Sequence, residues 1–311
     1  MKLETVRTWY DGKYGCLCKL VVGISILSCF ALSLNTAKIG KAIGHISLVE
    51  IAILTLLAVA RNAVGAIRFR ILSAIIRKIP FVEILKQYFV ASLFNNFLPT
   101  SLGGDGVRFV MASDCGLSKS EAGVLILLER VIGFYALVTI SMTSALFWSP
   151  PPNVFTLVIW LFVLYSGLMT ILFFDVFGLA RRTTNRHLEA LRVAFARCQR
   201  KHVALTATFA LSLLYQFISV SVSYYVATAI GVKLSITVFL TFVPLVWCFT
   251  MIPISLGGIG LREVSFAYLF SLVGIPKEDS LIVSLATYLT LVISGTIGAV
   301  FLLFGTKKDN G

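Results

Sequence analysis

Leu98-Pro99-Thr100-Ser101-Leu102-Gly103-Gly104-Asp105-Gly106-Val107-Arg108 aligns without a gap to Ile252-Pro253-Ile254-Ser255-Leu256-Gly257-Gly258-Ile259-Gly260-Leu261-Arg262. The shared pattern, P-x-S-L-G-G-x-G-(apolar)-R, keeps seven identical positions within ten, which is hard to obtain by chance. Each copy leads into a short turn, Gly116-Leu117-Ser118-Lys119 or Gly274-Ile275-Pro276-Lys277, and then into a long apolar run. The chain thus reads as one domain over 1–311 built from two repeats, at about 17–147 and 155–305.

What surrounds the motifs sets the class. Hydrophobic residues make up 58% and charged residues 13%, with a mean hydropathy of +0.93; soluble domains carry about 25% charged residues. The charge is clustered, leaving apolar runs at Leu17–Leu34, Leu48–Ala66, Phe81–Leu98, Ala122–Phe147, Phe155–Phe177, Val203–Ile230, Ile236–Ile252 and Leu281–Phe304. Most match the roughly 20 residues a helix needs to cross a bilayer. The fold class is therefore an all-α polytopic membrane protein. The run from Leu17 is long for a signal peptide, and Asn35-Thr36-Ala37-Lys38 is a poor cleavage site, so it reads as a retained first span.

The net charge of +13 does not point to nucleic acid, because the basic residues sit at the ends of apolar runs. Anionic lipid headgroups are the partner it implies. Cys16, Cys18, Cys29, Cys115, Cys198 and Cys248 show no metal-ligand spacing and read as small apolar filler. No cofactor is expected.

Charge also orients the chain. Arg68, Arg70, Arg77 and Lys78 follow the second run, and seven basic residues from Arg181 to Lys201 fill the longest loop against one acid, Glu189. Both loops are cytoplasmic by the positive-inside rule, which places the N-terminus inside. Three apolar runs then separate two inside loops, an impossible parity unless Phe81–Cys115 enters, breaks at Pro99 and returns. The same treatment of Ile236–Val273, broken at Pro253 and entering from outside, puts Lys307 and Lys308 inside. The expected architecture is about six to eight transmembrane helices, six full spans with two broken, re-entrant hairpins in an inverted repeat.

The motif chemistry suits an anion. Backbone groups freed by Pro and Gly cannot face lipid and must line protein or a watered cavity. Helices beginning near Gly103 or Gly257 would aim free N–H groups and a positive dipole end into it. Arg108 and Arg262, about one turn on, suit a phosphate or carboxylate. The competing reading is that the glycines serve tight packing and the arginines pair internally, as with Glu263. Glu129 and Arg130 lie deeper in their run than headgroup level, either in a structural ion pair or on a polar path. Asn95 and Asn96 either bind a headgroup or stitch helices, and Arg61 reads as a snorkelling residue near the inner end of its run. The candidate headgroup site comprises Asn96, Ser101, Gly103, Gly104, Asp105, Arg108, Glu129 and Arg130 in the first half, and Ser255, Gly257, Gly258, Arg262 and Glu263 in the second.

The run Asn96–Arg108, the Glu129-Arg130 pair and the stretch Pro253–Glu263 resemble the lysylphosphatidylglycerol synthase transmembrane family, also described as flippase-like membrane proteins. The resemblance covers nearly the whole chain in order and spacing. It implies movement of aminoacylated phosphatidylglycerol, or other glycerol or polyprenyl lipids, between leaflets of a prokaryotic cytoplasmic membrane. The lipid-modifying members carry a soluble catalytic domain after the membrane part; the chain read here stops at Gly311, so that domain is expected to be absent and aminoacyl transfer is not implied.

Three functions are weighed on these grounds. A lipid transporter or flippase takes a lipid with an anionic or zwitterionic headgroup as its partner. An accessory protein would recruit a lipid- or glycan-modifying enzyme, through the basic loop Arg181–Lys201. An intramembrane enzyme is least favoured, since no H-E-x-x-H, G-x-S-x-G or P-loop motif occurs and His45, His187 and His202 fall at span ends or in loops.

Overall fold

The computed structural model describes residues 47–97, 103–174, 186–250 and 260–304. The first apolar run, His45, Ser101, Ser255, Gly257, Gly258, Lys307 and Lys308 lie outside the described residues. The described elements are all helices: α1 (Leu48–Ser73), α2 (Phe81–Phe97), α3 (Gly103–Asp114), α4 (Lys119–Trp148), α5 (Pro152–Phe174), α6 (Arg186–Gln199), α7 (His202–Ala229), α8 (Ile236–Thr250), α9 (Leu261–Ser271) and α10 (Lys277–Phe304). Among them α1, α4, α7 and α10 are long and apolar enough to cross a membrane, with shorter apolar helices at Pro152–Gly167 and Ile236–Thr250.

Local chemistry fixes the helix ends. Ser47 and Glu50 open α1 with a reciprocal capping box, and Ser118 and Glu121 do the same for α4. Ser149, at φ 52°, ends α4, and Pro152 begins α5 at the position where a missing N–H costs nothing. Gly116, at φ 91°, makes the turn from α3 to α4 that a side chain would strain.

Helices α2 and α3 fold back on each other. Asn95 meets Gly104 near the break, Tyr88 meets Arg108 in the middle, and Gln87 donates to Cys115 Sγ at 3.7 Å toward the open end. The Arg77 guanidinium lies against Gly116, so the hairpin's two outer ends share one side. Helices α8 and α9 form the corresponding pair, with the Phe270 ring 4.9 Å from that of Phe239 and 5.4 Å from that of Phe242. Both broken segments expected from the sequence are therefore helical hairpins.

The hairpins rest on exchanged supports. The α2 helix of the first packs against α10, while the α8 helix of the second packs against α4. Ser141 Oγ donates to the Thr241 carbonyl at 3.0 Å and Ser144 Oγ to the Thr237 carbonyl at 2.7 Å, which runs α4 and α8 antiparallel. At the other support, a Cβ on Gly298 would overlap the Phe89 carbonyl, so α10 and α2 meet backbone to backbone. Several further contacts are matched in the same way: α1 with α2 as α7 with α8, α3 with α4 as α9 with α10, and α4 with α7 as α10 with α1, while those of α5 and α6 with α4 have no counterpart. The offset that carries Leu98 to Ile252 also carries Leu48 to His202, the first residues of α1 and α7.

Two apolar cores result. One gathers Phe69, Leu72, Ile84 and Leu125 from α1, α2 and α4; the other gathers Phe239, Phe242, Phe266 and Phe270 from α8 and α9. The polar residues described next lie among these helices.

Candidate functional site

Three helices bring charge together inside the first half. Glu129, 1% exposed, projects from α4 between two guanidiniums. Its Oε1 accepts from Arg68 Nε at 3.0 Å and Nη2 at 2.5 Å, and its Oε2 accepts from Arg108 Nη2. The Tyr88 hydroxyl donates to the same Oε1 and accepts from Arg108 Nη2 at 3.1 Å. Arg68 extends to Ser212 Oγ on α7 at 3.1 Å, and its guanidinium lies 5.0 Å from the Tyr215 ring.

Aromatic faces sandwich Arg108: its guanidinium carbon is 4.2 Å from the Tyr88 ring centre and 4.8 Å from that of Phe69. This combines stacking with charge-assisted hydrogen bonds, a combination lysine would not reproduce. Gly65 makes it sterically feasible, since a Cβ there would overlap the Tyr88 ring. Asp105, one turn before Arg108, pairs with it at 3.4 Å and also binds Arg130 Nε. Among the described pairs, Arg68 and Arg108 thus share Glu129, while Arg108 and Arg130 share Asp105.

Arg262 has the equivalent position in the second half but different company. It donates to Glu263 Oε1 from Nε at 3.1 Å and Nη2 at 2.6 Å, and to Ser284 Oγ at 3.3 Å. Its guanidinium lies 4.5 Å from the Tyr288 ring. Glu263 is 1% exposed and its Oε2 accepts the Gly260 N–H at 2.7 Å, so the acid both neutralises Arg262 and caps α9. The repeat explains the difference: Thr287 stands at the position of Glu129, Val222 at that of Arg68 and Phe242 at that of Tyr88. One half is a charged cluster, the other a closed neutral pair.

Several sequence expectations meet their outcome here. Asp105, Arg108, Glu129 and Arg130 are brought together, and Glu129 pairs with arginines of two other helices rather than with its neighbour. Gly103 does begin α3, but the Gly104 N–H is already held by Asn95 Oδ1 at 2.7 Å, so that amide is not open to a ligand. Asn95 stitches the hairpin, and the side chain of Asn96 falls outside what is described. The partner sets of Arg108 and Arg262 given above share no residue. Arg61 is not at the inner end of its span, because α1 continues to Ser73 and leaves Arg61 at mid-helix.

Arg68 is the residue sequence reasoning missed. It reads as a topology charge following an apolar run, yet it is 7% exposed inside α1. The available signal was its environment: Ile67, Phe69, Ile71 and Leu72 continue the apolar helix past it. Tyr88 was passed over because one tyrosine in an apolar helix looks like core. Among the described residues, no group of three His, Cys, Asp or Glu side chains gathers as for a metal. What gathers is guanidinium and carboxylate, joined by charge-assisted hydrogen bonds.

A polytopic helical protein with a buried arginine cluster beside a broken hairpin is an integral membrane protein that holds charge among its spans. The family described as Lysylphosphatidylglycerol synthase TM region matches residues 17–299, and the chain belongs to that family. A comparison with curated proteins finds no match.

Proposed function

We propose that the protein binds lipids with an anionic or zwitterionic headgroup and moves them between leaflets. The observation that carries this reading is the Arg68–Glu129–Arg108 cluster. It gathers two buried guanidiniums around one carboxylate among membrane helices, where a guanidinium can exchange its carboxylate for a phosphate whose acyl chains remain in the lipid. Family membership ties the chain to lipid biology, and the matched hairpin supports favour an inverted repeat. Arg68, near the end of α1, meets Ser212 in the first half of α7, as oppositely directed equivalents would.

On this reading the hairpins enter from opposite sides, both termini are cytoplasmic, and alternate opening exposes the arginines to each leaflet. The membrane is the cytoplasmic membrane of a prokaryote, and the chain performs no bond chemistry. A phosphate arriving at Arg108 competes with Glu129, which remains paired to Arg68, so binding exchanges one ion pair for another rather than desolvating a bare charge.

Leaflet exchange of headgroup-labelled lipids in liposomes tests this. Wild type is expected to exchange lipids with phosphate-bearing headgroups, and Arg108→Ala to slow exchange at least tenfold. If wild type is no faster than protein-free liposomes for every headgroup tried, the reading fails.

A second reading, an accessory protein docking a lipid- or glycan-modifying enzyme, has one feature in its favour. Helix α6 lies against the start of α4, joined by Arg197 to Glu121 at 3.3 Å, with a groove between them lined by Ser118, Glu189 and Val193.

A further inference from the structure

Arg61 lies at the centre of α1, thirteen residues past Leu48 and twelve before Ser73. At about 1.5 Å per residue, roughly 18 Å of helix separates it from either end. An arginine side chain spans only a fraction of that length, so snorkelling does not bring this charge to an interface. It is 8% exposed.

Its Nε is buried without a hydrogen-bond partner, and among the described residues no carboxylate pairs with it. The adjacent Asn62, 2% exposed, has an Nδ2 in the same condition, and Arg108 Nε is a third such atom. All three are N–H donors. Each is a buried donor without an acceptor. Gln87 Oε1, an acceptor without a partner, belongs to the hairpin's open end near Cys115 and does not serve them.

Position adds direction to this deficit. Arg61, Gly65 and Arg68 recur at helical spacing along one stripe of α1, and Gly65 on that stripe meets Tyr88 of the cluster. Arg61 is therefore about 10 Å further along the helix from Arg68. The two differ in what an incoming anion meets. At Arg68 and Arg108 it competes with Glu129 and Asp105; at Arg61 no described carboxylate competes. A buried cation left uncompensated is strongly unfavourable, and a bound anion removes that cost.

We propose that Arg61, with Asn62 beside it, is a second anion-binding station at the middle of the membrane. It takes a phosphate-bearing group as that group leaves or approaches the Arg68–Glu129–Arg108 cluster. This rests on the headgroup-binding reading above, and deepens it by giving the path two stations on one helix.

The test uses the full chain in a phosphate-free maltoside detergent, with binding read by thermal shift and native mass spectrometry. The probes are dioctanoyl phosphatidylglycerol, dioctanoylglycerol and glycerol phosphate. Wild type is expected to bind the phospholipid saturably and the uncharged diacylglycerol at least tenfold more weakly. Arg61→Gln is expected to weaken phospholipid binding at least tenfold, while its thermal stability without probe equals or exceeds wild type, since it removes an uncompensated charge. Arg61→Lys, which keeps the charge, should stay within about threefold of wild type.

If Arg61→Gln binds like wild type while Arg108→Gln does not, the station at Arg61 is overturned and the cluster reading stands. If wild type binds no phosphate probe, both are overturned. Glycerol phosphate binding as tightly as the lipid, with the same dependence on Arg61, supports the station and identifies its ligand as a free phosphate. Should Arg61→Gln lose fold, Arg61→Met supplies the uncharged comparison; loss of fold in both, with Arg61→Lys intact, assigns the charge to structure and overturns the proposal.

Discussion

Glu129 and Arg108 face each other across α4 and α3, with the Glu129 carboxylate shared between Arg108 on one oxygen and Arg68 on the other. One acid on one helix therefore holds three helices in register. It is also the one described carboxylate that both buried guanidiniums share, Asp105 reaching only Arg108 of the two.

Glu129→Ala should accordingly be among the most destabilising substitutions in the chain. Removing one member of a buried pair costs about 3–5 kcal/mol, and here Arg68 loses its described carboxylate while Arg108 keeps only Asp105. The double variant Glu129→Ala/Arg68→Met is expected to recover part of the loss, and a double-mutant cycle on thermal unfolding in detergent measures the coupling. Equal stability of Glu129→Ala and wild type would remove the cluster's structural role.

Tyr88→Phe isolates the hydroxyl that links Glu129 to Arg108 while leaving the ring beside Gly65. The expected loss is about 1–3 kcal/mol, that of hydrogen bonds to charged groups. Lipid exchange should also fall, because Arg108 loses a positioning contact. Stability and exchange rate, measured on the same preparation, check both expectations.

Gly298 and Gly106 make a matched pair of tests. A Cβ on Gly298 would overlap the Phe89 carbonyl, whereas a Cβ on Gly106 would meet nothing within 4 Å. Gly298→Ala is expected to cost about 1–3 kcal/mol or more through overpacking. Gly106→Ala should be neutral or stabilising by up to about 1 kcal/mol, because alanine favours helix. Comparable melting shifts for the two would contradict the backbone approach of α10 on α2.

Cys198 lies on α6, outside the spans, 1% exposed, and burial pushes its thiol from 9.0 up to about 11. At pH 8 its thiolate population is about a hundredfold below that of an unfolded thiol. Maleimide should therefore label it slowly in the folded protein and quickly in dodecyl sulfate, with the other cysteines replaced by serine. The raised value also signs a pH dependence: the contribution to stability is complete below about pH 9 and fades as pH rises toward 11. Rapid labelling of the folded state would show α6 detached from α4.

The sequence made the duplication and the two breaks readable because proline and glycine leave no other option inside an apolar run. It also located Arg108 and Glu129, since charge deep in a span needs a reason. It did not reveal Arg68, because a basic residue just past an apolar run obeys the topology rule whether it faces headgroups or a carboxylate on another helix. The same ambiguity misplaced Arg61: where a helix ends decides whether its arginine can reach water. The Arg262–Glu263 pair was legible because the two are neighbours on one helix; that Arg68 and Arg108 would share Glu129 was hidden, being a matter of how helices cross.

The exchange of supports between the halves bears on how the protein is made. Helix α2 emerges early from the ribosome, but the surface it rests on, α10, is the last described helix to be synthesised. Through most of translation the first hairpin waits in the bilayer with the Phe89 stretch of α2 short of its final neighbour. A chain stopped before Lys277 would leave it so permanently. Such a truncation, though it keeps every residue of the charged cluster, should be recognised as incomplete and degraded.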